Sequence, residues 1–224
     1  MEAHRDLMTV PDEQSPPTPT SANATPSPVT LTDRVRRWTA QVTSAAGTTA
    51  MNLGLHPDTI TIAGFVLVMI AAVLIGRGEL QWGALLLILA LPFDALDGAV
   101  ARAMKRTDQF GALLDSTLDR YADAFIFAGL SYYFAVQNQF EMMLLALAAL
   151  MGSYAVSYVR ARGEGLGVSA KIGAFSRLER LAVILLMLWV PALLGIGLLI
   201  LAVGTNFTSL QRLWFVYRAL KKEE

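Results

Sequence analysis

Long apolar stretches alternate with short polar segments along most of this chain of 224 residues. A helix needs about 20 mainly apolar residues to cross a bilayer, with a range of about 17–25. Six segments fit, at 59–76, 82–104, 111–136, 141–162, 177–194 and 195–217. Helices are expected because an open strand would leave its backbone groups unpaired in lipid. The pattern therefore predicts an all-α, polytopic membrane protein with six transmembrane helices.

Two segments of different character precede this apolar body. Residues 1–30 contain six of the nine prolines, mixed with Ser, Thr and Ala. Such a composition cannot bury enough apolar surface to fold, so we expect a disordered tail. Residues 31–55 begin with basic and aromatic side chains and continue with small and apolar ones. This pattern predicts an N-terminal juxtamembrane amphipathic helix, and the transmembrane domain is expected over residues 56–224.

Composition agrees with a membrane protein and narrows its chemistry. The chain is 54% hydrophobic and 16% charged, whereas soluble domains carry about 25% charged residues. It contains no cysteine, which excludes disulfides, thiolate metal sites and cysteine nucleophiles. Basic residues gather on the side of the amino terminus, and Arg77 is the one that lies in a loop on the other side. By the positive-inside rule, both termini are expected in the cytosol.

Five aspartates lie within the second and third predicted spans, where charges are costly and usually functional. The first two aspartates share one face of the second helix with three further residues, because the five positions are spaced i, i+3, i+4, i+7 and i+8. These five positions are Asp94, Asp97, Gly98, Ala101 and Arg102. Asp115 and Asp119 are four residues apart on the third helix and also share a face. Asp123 lies one turn further along the third helix. Its position fits helix pairing or support of a metal ligand at least as well as direct ligation of a metal.

The depth of these aspartates suggests a metal site. At 1.5 Å per residue, Asp94 lies about 12 Å from Arg102, and Asp119 lies about 12 Å from Gly111 on the antiparallel helix. Four carboxylates therefore converge at one level of the membrane. Anions crowded in a low dielectric repel one another unless they are counter-charged. Hard divalent cations with oxygen ligands solve this problem, which predicts two Mg²⁺ or Mn²⁺ ions.

The same residues form one continuous motif. Asp94-Ala-Leu-Asp97-Gly98-Ala-Val-Ala101-Arg102, eight residues, then Gly111-Ala-Leu-Leu-Asp115-Ser-Thr-Leu-Asp119 match the pattern DxxDGxxAR(x8)GxxxDxxxD. This pattern resembles the signature of the CDP-alcohol phosphatidyltransferase family, and the resemblance covers roughly residues 50–218. A polar pathway in a transporter would also place aspartates in spans, and transport is the alternative from another class. It does not require small residues at fixed intervals, however.

The resemblance implies the reaction and the roles of the motif residues. Family members transfer a phosphatidyl group from a CDP-linked lipid, here CDP-diacylglycerol, to an alcohol and release CMP. The implied metal ligands are Asp94, Asp97, Asp115 and Asp119, with Asp119 also the general base. The residues implied to bind the CDP-lipid are Asp94, Asp97, Gly98, Ala101, Arg102, Gly111 and Asp115. Relatives commonly form homodimers, so a homodimer among membrane lipids is expected, and no nucleic-acid partner.

A second basic group indicates the acceptor. The segments Ser157–Glu164, Arg177–Arg180 and Leu55–Thr61 resemble those of the inositol-phosphate branch of the family. Clustered guanidinium groups favour a phosphorylated polyol, with inositol 1-phosphate foremost and glycerol 3-phosphate next. An unphosphorylated alcohol is the remaining alternative. The residues expected to bind the acceptor phosphate are Asp58, Arg160, Arg162, Arg177, Arg180 and Arg212. Cytosolic loops are also basic for reasons of topology alone, so this grouping has a second explanation.

Overall fold

A computed structural model describes residues 49, 52, 54, 56–104 and 109–221. The tail predicted for residues 1–30 lies outside this part of the chain. The surface helix predicted for residues 31–55 also lies outside it, apart from three of its residues. The transmembrane body is described over most of its length.

Six α-helices and no strand make up the described residues from 56 to 221. They are α1 (Pro57–Gly76), α2 (Leu80–Ala103), α3 (Gln109–Val136), α4 (Phe140–Glu164), α5 (Arg177–Trp189) and α6 (Leu194–Leu220). In this part of the chain, α1, α2, α4 and α6 are long and apolar enough to cross a membrane. α3 has 28 residues but carries four charged ones near its start, and α5 has only 13 residues. The prediction of an all-α, polytopic membrane protein is confirmed.

Local sequence explains where the helices begin and end. α1 begins at Pro57, whose fixed φ and missing N–H suit the first turn of a helix. The fifth helix is shorter than predicted, because it ends at Trp189 rather than at Leu194. Pro191 cannot continue an α-helix, and Pro191–Leu193 forms a 3₁₀ turn from which α6 starts directly. The predicted break between the last two helices therefore lies one turn earlier than expected.

The close pairings of the described helices form a closed ring. Consecutive helices pair as three hairpins, α1 with α2, α3 with α4, and α5 with α6. The hairpins then join through α1–α3, α4–α6 and α2–α5 contacts. α2 and α3 follow each other in the chain, but α1 packs closely against both of them. Space is therefore left between the two helices that carry the aspartate motif.

The interior of the ring is apolar at one end and polar at the other. Near the turns at 77–79 and 137–139, large side chains are almost completely buried, among them Ile75, Phe127, Leu130, Leu188 and Leu198. Lipid is as apolar as these side chains, so close packing rather than transfer from water stabilises this end. The opposite end buries charged groups instead: Asp97, Arg180 and Arg212. The fold therefore concentrates polar chemistry at the end where α3 and α5 begin.

Two glycines allow close approaches that shape this ring. A Cβ at Gly129 of α3 would collide with the backbone carbonyl of Ala72, so α1 and α3 meet backbone to backbone at the apolar end. Gly173, in the loop before α5, has φ +95°, and a Cβ there would collide with Thr208 of α6. This loop therefore lies directly on α6, which helps to locate the start of α5.

Candidate active site

A cavity of about 350 Å³ between α3 and α4 contains no motif residue. Two other cavities, at the polar end of the ring, each contain two or more motif residues. The larger of these two has a volume of about 340 Å³ and lies between α3, α4, α5 and α6. The smaller has a volume of about 200 Å³ and lies between α1, α2 and α3. Asp115 lines both cavities. A molecule in one cavity would therefore lie next to a molecule in the other.

The larger cavity gathers most of the basic residues predicted for the acceptor. Its charged lining consists of Arg120, Arg160, Arg177, Arg180, Arg212, Asp115, Asp119, Asp123 and Glu164. All of these arginines except Arg120 were predicted to bind an acceptor phosphate. Guanidinium groups bind phosphate through charge-assisted, often bidentate hydrogen bonds. The cavity thus has the chemistry of an anion site placed beside carboxylates.

The smaller cavity gathers the small residues of the motif. Gly98, Ala101 and Gly111 line it together with Asp97 and Asp115. Because these three carry no side chain beyond Cβ, a ligand can approach the backbone of α2 and α3. Five of the seven residues predicted to bind the CDP-lipid therefore lie in one cavity.

Arg177 connects the aspartates of α2 and α3. Its Nη1 lies 2.7 Å from Oδ2 of Asp94, and its Nη2 lies 2.8 Å from Oδ1 of Asp119. The side chain of Arg177 is 36% exposed, and those of Asp94 and Asp119 are 39% and 24% exposed. This bridge is therefore open to solvent, and a ligand could compete for either partner.

Asp97 is held in a different way. Thr61 of α1 donates a hydrogen bond to its Oδ2 at 2.7 Å, and the Gly98 N–H donates to its Oδ1 at 2.5 Å. Since Asp97 is buried, these donors satisfy oxygens that water cannot reach freely. Sequence reasoning assigned no role to Thr61. The available signal was a pair of hydroxyl side chains, Thr59 and Thr61, at the start of an otherwise apolar span.

The donor set fits a divalent cation. Carboxylate oxygens are the ligands that Mg²⁺ and Mn²⁺ prefer, and the four motif aspartates offer nothing else. As their side chains stand, no three acidic or histidine residues within 56–104 and 109–221 are close enough together to hold an ion. The guanidinium of Arg177 lies between Asp94 and Asp119 instead, so a cation would compete with it for the same oxygens. The assignment of Asp94, Asp97, Asp115 and Asp119 as metal ligands stays a prediction.

Arg180 forms a buried ion pair outside the motif. Its Nη2 lies 2.6 Å from Oδ2 of Asp123, and its Nη1 donates to the Phe175 carbonyl at 3.3 Å. Its Nε is buried and has no hydrogen-bond partner among the described residues. The ion pair joins Asp123 of α3 to α5, and its role, left open by the sequence between helix pairing, support of a ligand and metal ligation, stays a prediction.

Arg212 is buried, and its guanidinium is hydrogen-bonded to backbone carbonyls rather than paired with a carboxylate. It donates from Nε to the Ile172 carbonyl at 2.8 Å and from Nη1 to the Val156 carbonyl at 3.0 Å. These bonds join α6 to α4 and to the loop before α5. Arg160 is more open, and its Nε lies 3.0 Å from Oε1 of Glu164 on the same helix. Both arginines line the larger cavity, but Arg212 is fixed by buried hydrogen bonds to the backbone, whereas Arg160 is held by one exposed ion pair.

Four predicted binding residues lie elsewhere, and one of them, Asp94, lines neither cavity and contacts Arg177. Asp58 lines the smaller cavity, away from the arginines with which it was grouped. Arg162 lines neither cavity, although Arg160 on the same helix does. The guanidinium of Arg102 lies over Gly98, since its Nη1 would be 3.2 Å from a Cβ there. Conversely, Arg120 lines the larger cavity and was not predicted to bind a substrate.

Residues 54–210 match the family described as CDP-alcohol phosphatidyltransferase, a match that covers more than half of the chain. The chain belongs to this family. Archaetidylinositol phosphate synthase from Methanothermobacter thermautotrophicus is 38% identical over 177 residues, which cover 77% of this chain and 88% of that protein. Membership makes the protein an enzyme, and its relatives include synthases of inositol phospholipids.

Solved structures of Mycobacterium tuberculosis phosphatidylinositol phosphate synthase resemble this member of the family. The structure with CDP-DAG bound has a TM-score of 0.75 and 33% identity, and the alignment covers 79% of this chain and 94% of that one. The complex with manganese and citrate has a TM-score of 0.74 and 34% identity, with coverage of 78% and 88%. The chain therefore shares the fold of a phospholipid-synthesising membrane enzyme.

Replacing Arg177 tests whether it acts as a counter-charge. We expect Arg177→Gln to lower the melting temperature of the detergent-solubilised protein in EDTA by a few degrees, because two neighbouring carboxylates lose their cation. Arg160→Gln is the matched control, since it removes an arginine from one exposed i,i+4 pair and such pairs contribute little. Differential scanning fluorimetry measures both. Equal melting temperatures for the two variants would contradict a counter-charge role.

Proposed function

We propose that this enzyme transfers a phosphatidyl group from CDP-diacylglycerol to inositol 1-phosphate and releases CMP. The observation that carries the proposal is the larger cavity, in which four predicted acceptor-binding arginines and Asp119 line one space. A phosphorylated acceptor would satisfy these cations, whereas serine or choline would leave them without an anion. Glycerol 3-phosphate could use the same arginines. The similarity to inositol phosphate synthases favours inositol 1-phosphate over it.

The state of Arg180 supports an anionic occupant. Only 3% of this residue is exposed, and its Nε has no hydrogen-bond partner in the described residues. Leaving a buried donor unsatisfied costs about 1–3 kcal/mol. A phosphate in the cavity would add its negative charge beside this guanidinium, which Asp123 and the Phe175 carbonyl satisfy only in part. The acceptor phosphate is therefore proposed to lie against the Arg180 side of the cavity.

The proposed cofactors are two divalent cations, Mg²⁺ or Mn²⁺, held by Asp94, Asp97, Asp115 and Asp119. When bound, such ions polarise the diphosphate and stabilise the charge of the departing CMP. The oxygen-only donor set supports this assignment, and so does the manganese complex of the M. tuberculosis relative. Arg177 becomes available to the acceptor phosphate once other cations satisfy Asp94 and Asp119.

The two cavities are proposed to hold the two substrates. The nucleotide part of the CDP-lipid would use the smaller cavity, against the backbone at Gly98 and Gly111, and the acceptor would use the larger one. Asp115 lines both, so the diphosphate and the acceptor hydroxyl would meet near it. The rate gain would come mainly from positioning and from electrostatic stabilisation of the transferred group.

Asp119 is proposed as the general base. The acceptor oxygen forms a bond to the lipid-side phosphorus, and the bond from that phosphorus to the CMP oxygen breaks with its electron pair leaving on CMP. Asp119 accepts the proton of the attacking hydroxyl. Its position in the wall of the acceptor cavity supports this role.

The active site is proposed to face the cytosol. Within residues 56–104 and 109–221, Arg77 is the basic residue beside the turns at the apolar end, and the others lie toward the opposite end or in its loops. The positive-inside rule assigns that opposite end, with the cavities and both termini, to the cytosolic side. The homodimer implied by the family resemblance stays a prediction.

Measuring CMP release acceptor by acceptor tests the proposed reaction. The purified protein with CDP-diacylglycerol and Mn²⁺ is expected to release CMP when inositol 1-phosphate is added, and much less with glycerol 3-phosphate, inositol or serine. Excess EDTA is expected to stop the release. If glycerol 3-phosphate alone stimulated CMP release, it would be the acceptor in place of inositol 1-phosphate. Full activity in EDTA would exclude the metal assignment.

Asp119→Asn tests the base. The amide has the size of the carboxylate but cannot accept a proton at neutral pH, so turnover is expected to fall by about 10²–10⁴-fold. Binding of CDP-diacylglycerol, measured by isothermal titration calorimetry, is expected to persist. Near-normal turnover in this variant would remove Asp119 as the base.

Two neighbouring arginines of α4 provide a matched test of the acceptor cavity. Arg160→Gln is expected to raise KM for inositol 1-phosphate by about tenfold, because a charge-assisted hydrogen bond to phosphate is lost. Arg162→Gln makes the same chemical change outside the cavity and is expected to leave KM nearly unchanged. Similar KM values for both variants would mean that net charge, rather than the cavity, selects the acceptor.

A further inference from the structure

Two ion pairs, about one helical turn apart, join α3 to α5. Asp119 Oδ1 lies 2.8 Å from Arg177 Nη2, and Asp123 Oδ2 lies 2.6 Å from Arg180 Nη2. The close backbone packing of α5 is with α2 and α6, so these arginine side chains reach across to α3. The placement of the first turn of α5 relative to α3 therefore depends on them.

The two pairs differ sharply in burial. The side chains of Arg177 and Asp119 are 36% and 24% exposed, whereas those of Arg180 and Asp123 are 4% and 16% exposed. An exposed pair exchanges its partners readily with solvent and ligands. Breaking a buried pair by removing one partner leaves an uncompensated charge and is far more costly. The inner pair is thus the one that can hold a fixed geometry while the outer pair changes partners.

The inner pair also holds the chain that leads into α5. Arg180 Nη1 donates to the carbonyl of Phe175, two residues before Arg177. A Cβ on Gly204 of α6 would collide with the Phe175 ring, so this residue is packed tightly from the other side. Asp123, Arg180 and Phe175 therefore form a continuous support beneath the start of α5.

The position of Asp123 near the motif suggests metal ligation as the alternative role. Its Oδ2 is already engaged by Arg180, and it lies one turn deeper than Asp119 on α3. A ligand role predicts that removing the carboxylate weakens metal binding. A positioning role predicts that metal binding persists while the arginines move.

We propose that Asp123 is a positioning residue for the acceptor cavity: through its buried ion pair with Arg180, it sets the placement of α5 against α3 and so holds Arg177 and Arg180 where the acceptor phosphate binds. This inference rests on the proposed function for the identity of the phosphate, and on the geometry alone for the placement of α5. Asp123 itself need not touch either substrate.

Asp123→Asn is the direct test. It is expected to raise KM for inositol 1-phosphate by about tenfold, because the arginines lose their placement. KM for CDP-diacylglycerol and the Kd for Mn²⁺ are expected to stay within about twofold, since the motif aspartates are intact. Asp123→Glu keeps the carboxylate and is expected to recover part of the loss. Glu141→Gln makes a comparable change at the far end of α4 and serves as the control.

A distance measurement tests the placement of α5 without activity. The chain has no cysteine, so spin labels at Leu113→Cys on α3 and Leu178→Cys on α5, both exposed, would be specific. Pulsed electron paramagnetic resonance is expected to show a shifted or broadened distance distribution when Asp123→Asn is added, and none with Glu141→Gln. If Asp123→Asn does not fold, Asp123→Glu is measured in its place.

The outcomes separate the possible roles. A fall in Mn²⁺ affinity would make Asp123 a metal ligand, and equal rises in both KM values would mean that both cavities, rather than the acceptor cavity alone, depend on Asp123. An unchanged distance distribution would overturn the inference. If the parent enzyme released no CMP with inositol 1-phosphate, the proposed acceptor would fail, whereas the label distances would still decide whether Asp123 holds α5.

Discussion

The requirement that carboxylates inside a membrane bundle have a counter-charge or hydrogen-bond donors governs this structure, and Asp97 takes donors from Thr61 and Gly98. Asp94 and Asp119 come from different helices, and one guanidinium contacts both. Arg177 can do so because it is the first residue of α5, which starts within the polar end of the ring. Neighbouring carboxylates repel one another, so the start of α5, which supplies their shared cation, lies beside the motif.

The ring of three hairpins makes this arrangement possible. α1 packs against both α2 and α3 and approaches α3 at Gly129, while α2 and α3 leave a space beside it at the other end. Large apolar side chains close the ring on the side of Phe127 and Leu198. These apolar contacts hold the helices together at one end, so the polar end does not need to be filled with packed side chains. The cavities can therefore remain open to two substrates without weakening the apolar contacts that hold the helices together.

Helical periodicity predicted which residues share a face, but not which helices are neighbours. The spacing of Asp115 and Asp119 placed both in the wall of the larger cavity. Asp94 and Asp97 share a helix but not a cavity, because Asp97 lines the smaller cavity and Asp94 contacts Arg177. Thr61 could not be connected with Asp97 in advance, because that hydrogen bond joins α1 to α2 over 36 positions. Periodicity also could not show that Asp58 and the arginines lie in different cavities. Such relations depend on tertiary packing, which a single amphipathic pattern does not contain.

The arginines of the larger cavity divide into two kinds, and this division explains how one pocket can be both rigid and receptive. Arg180 and Arg212 are buried and hold protein partners, Asp123 for the first and backbone carbonyls for the second. Arg160 and Arg177 are partly exposed, and their carboxylate partners can be exchanged. An anion that enters the cavity meets cations already fixed in place, so little ordering is required there. The exposed arginines can then release their carboxylate partners and bind the anion instead. Occupation of the cavity would therefore change the charge around the aspartates.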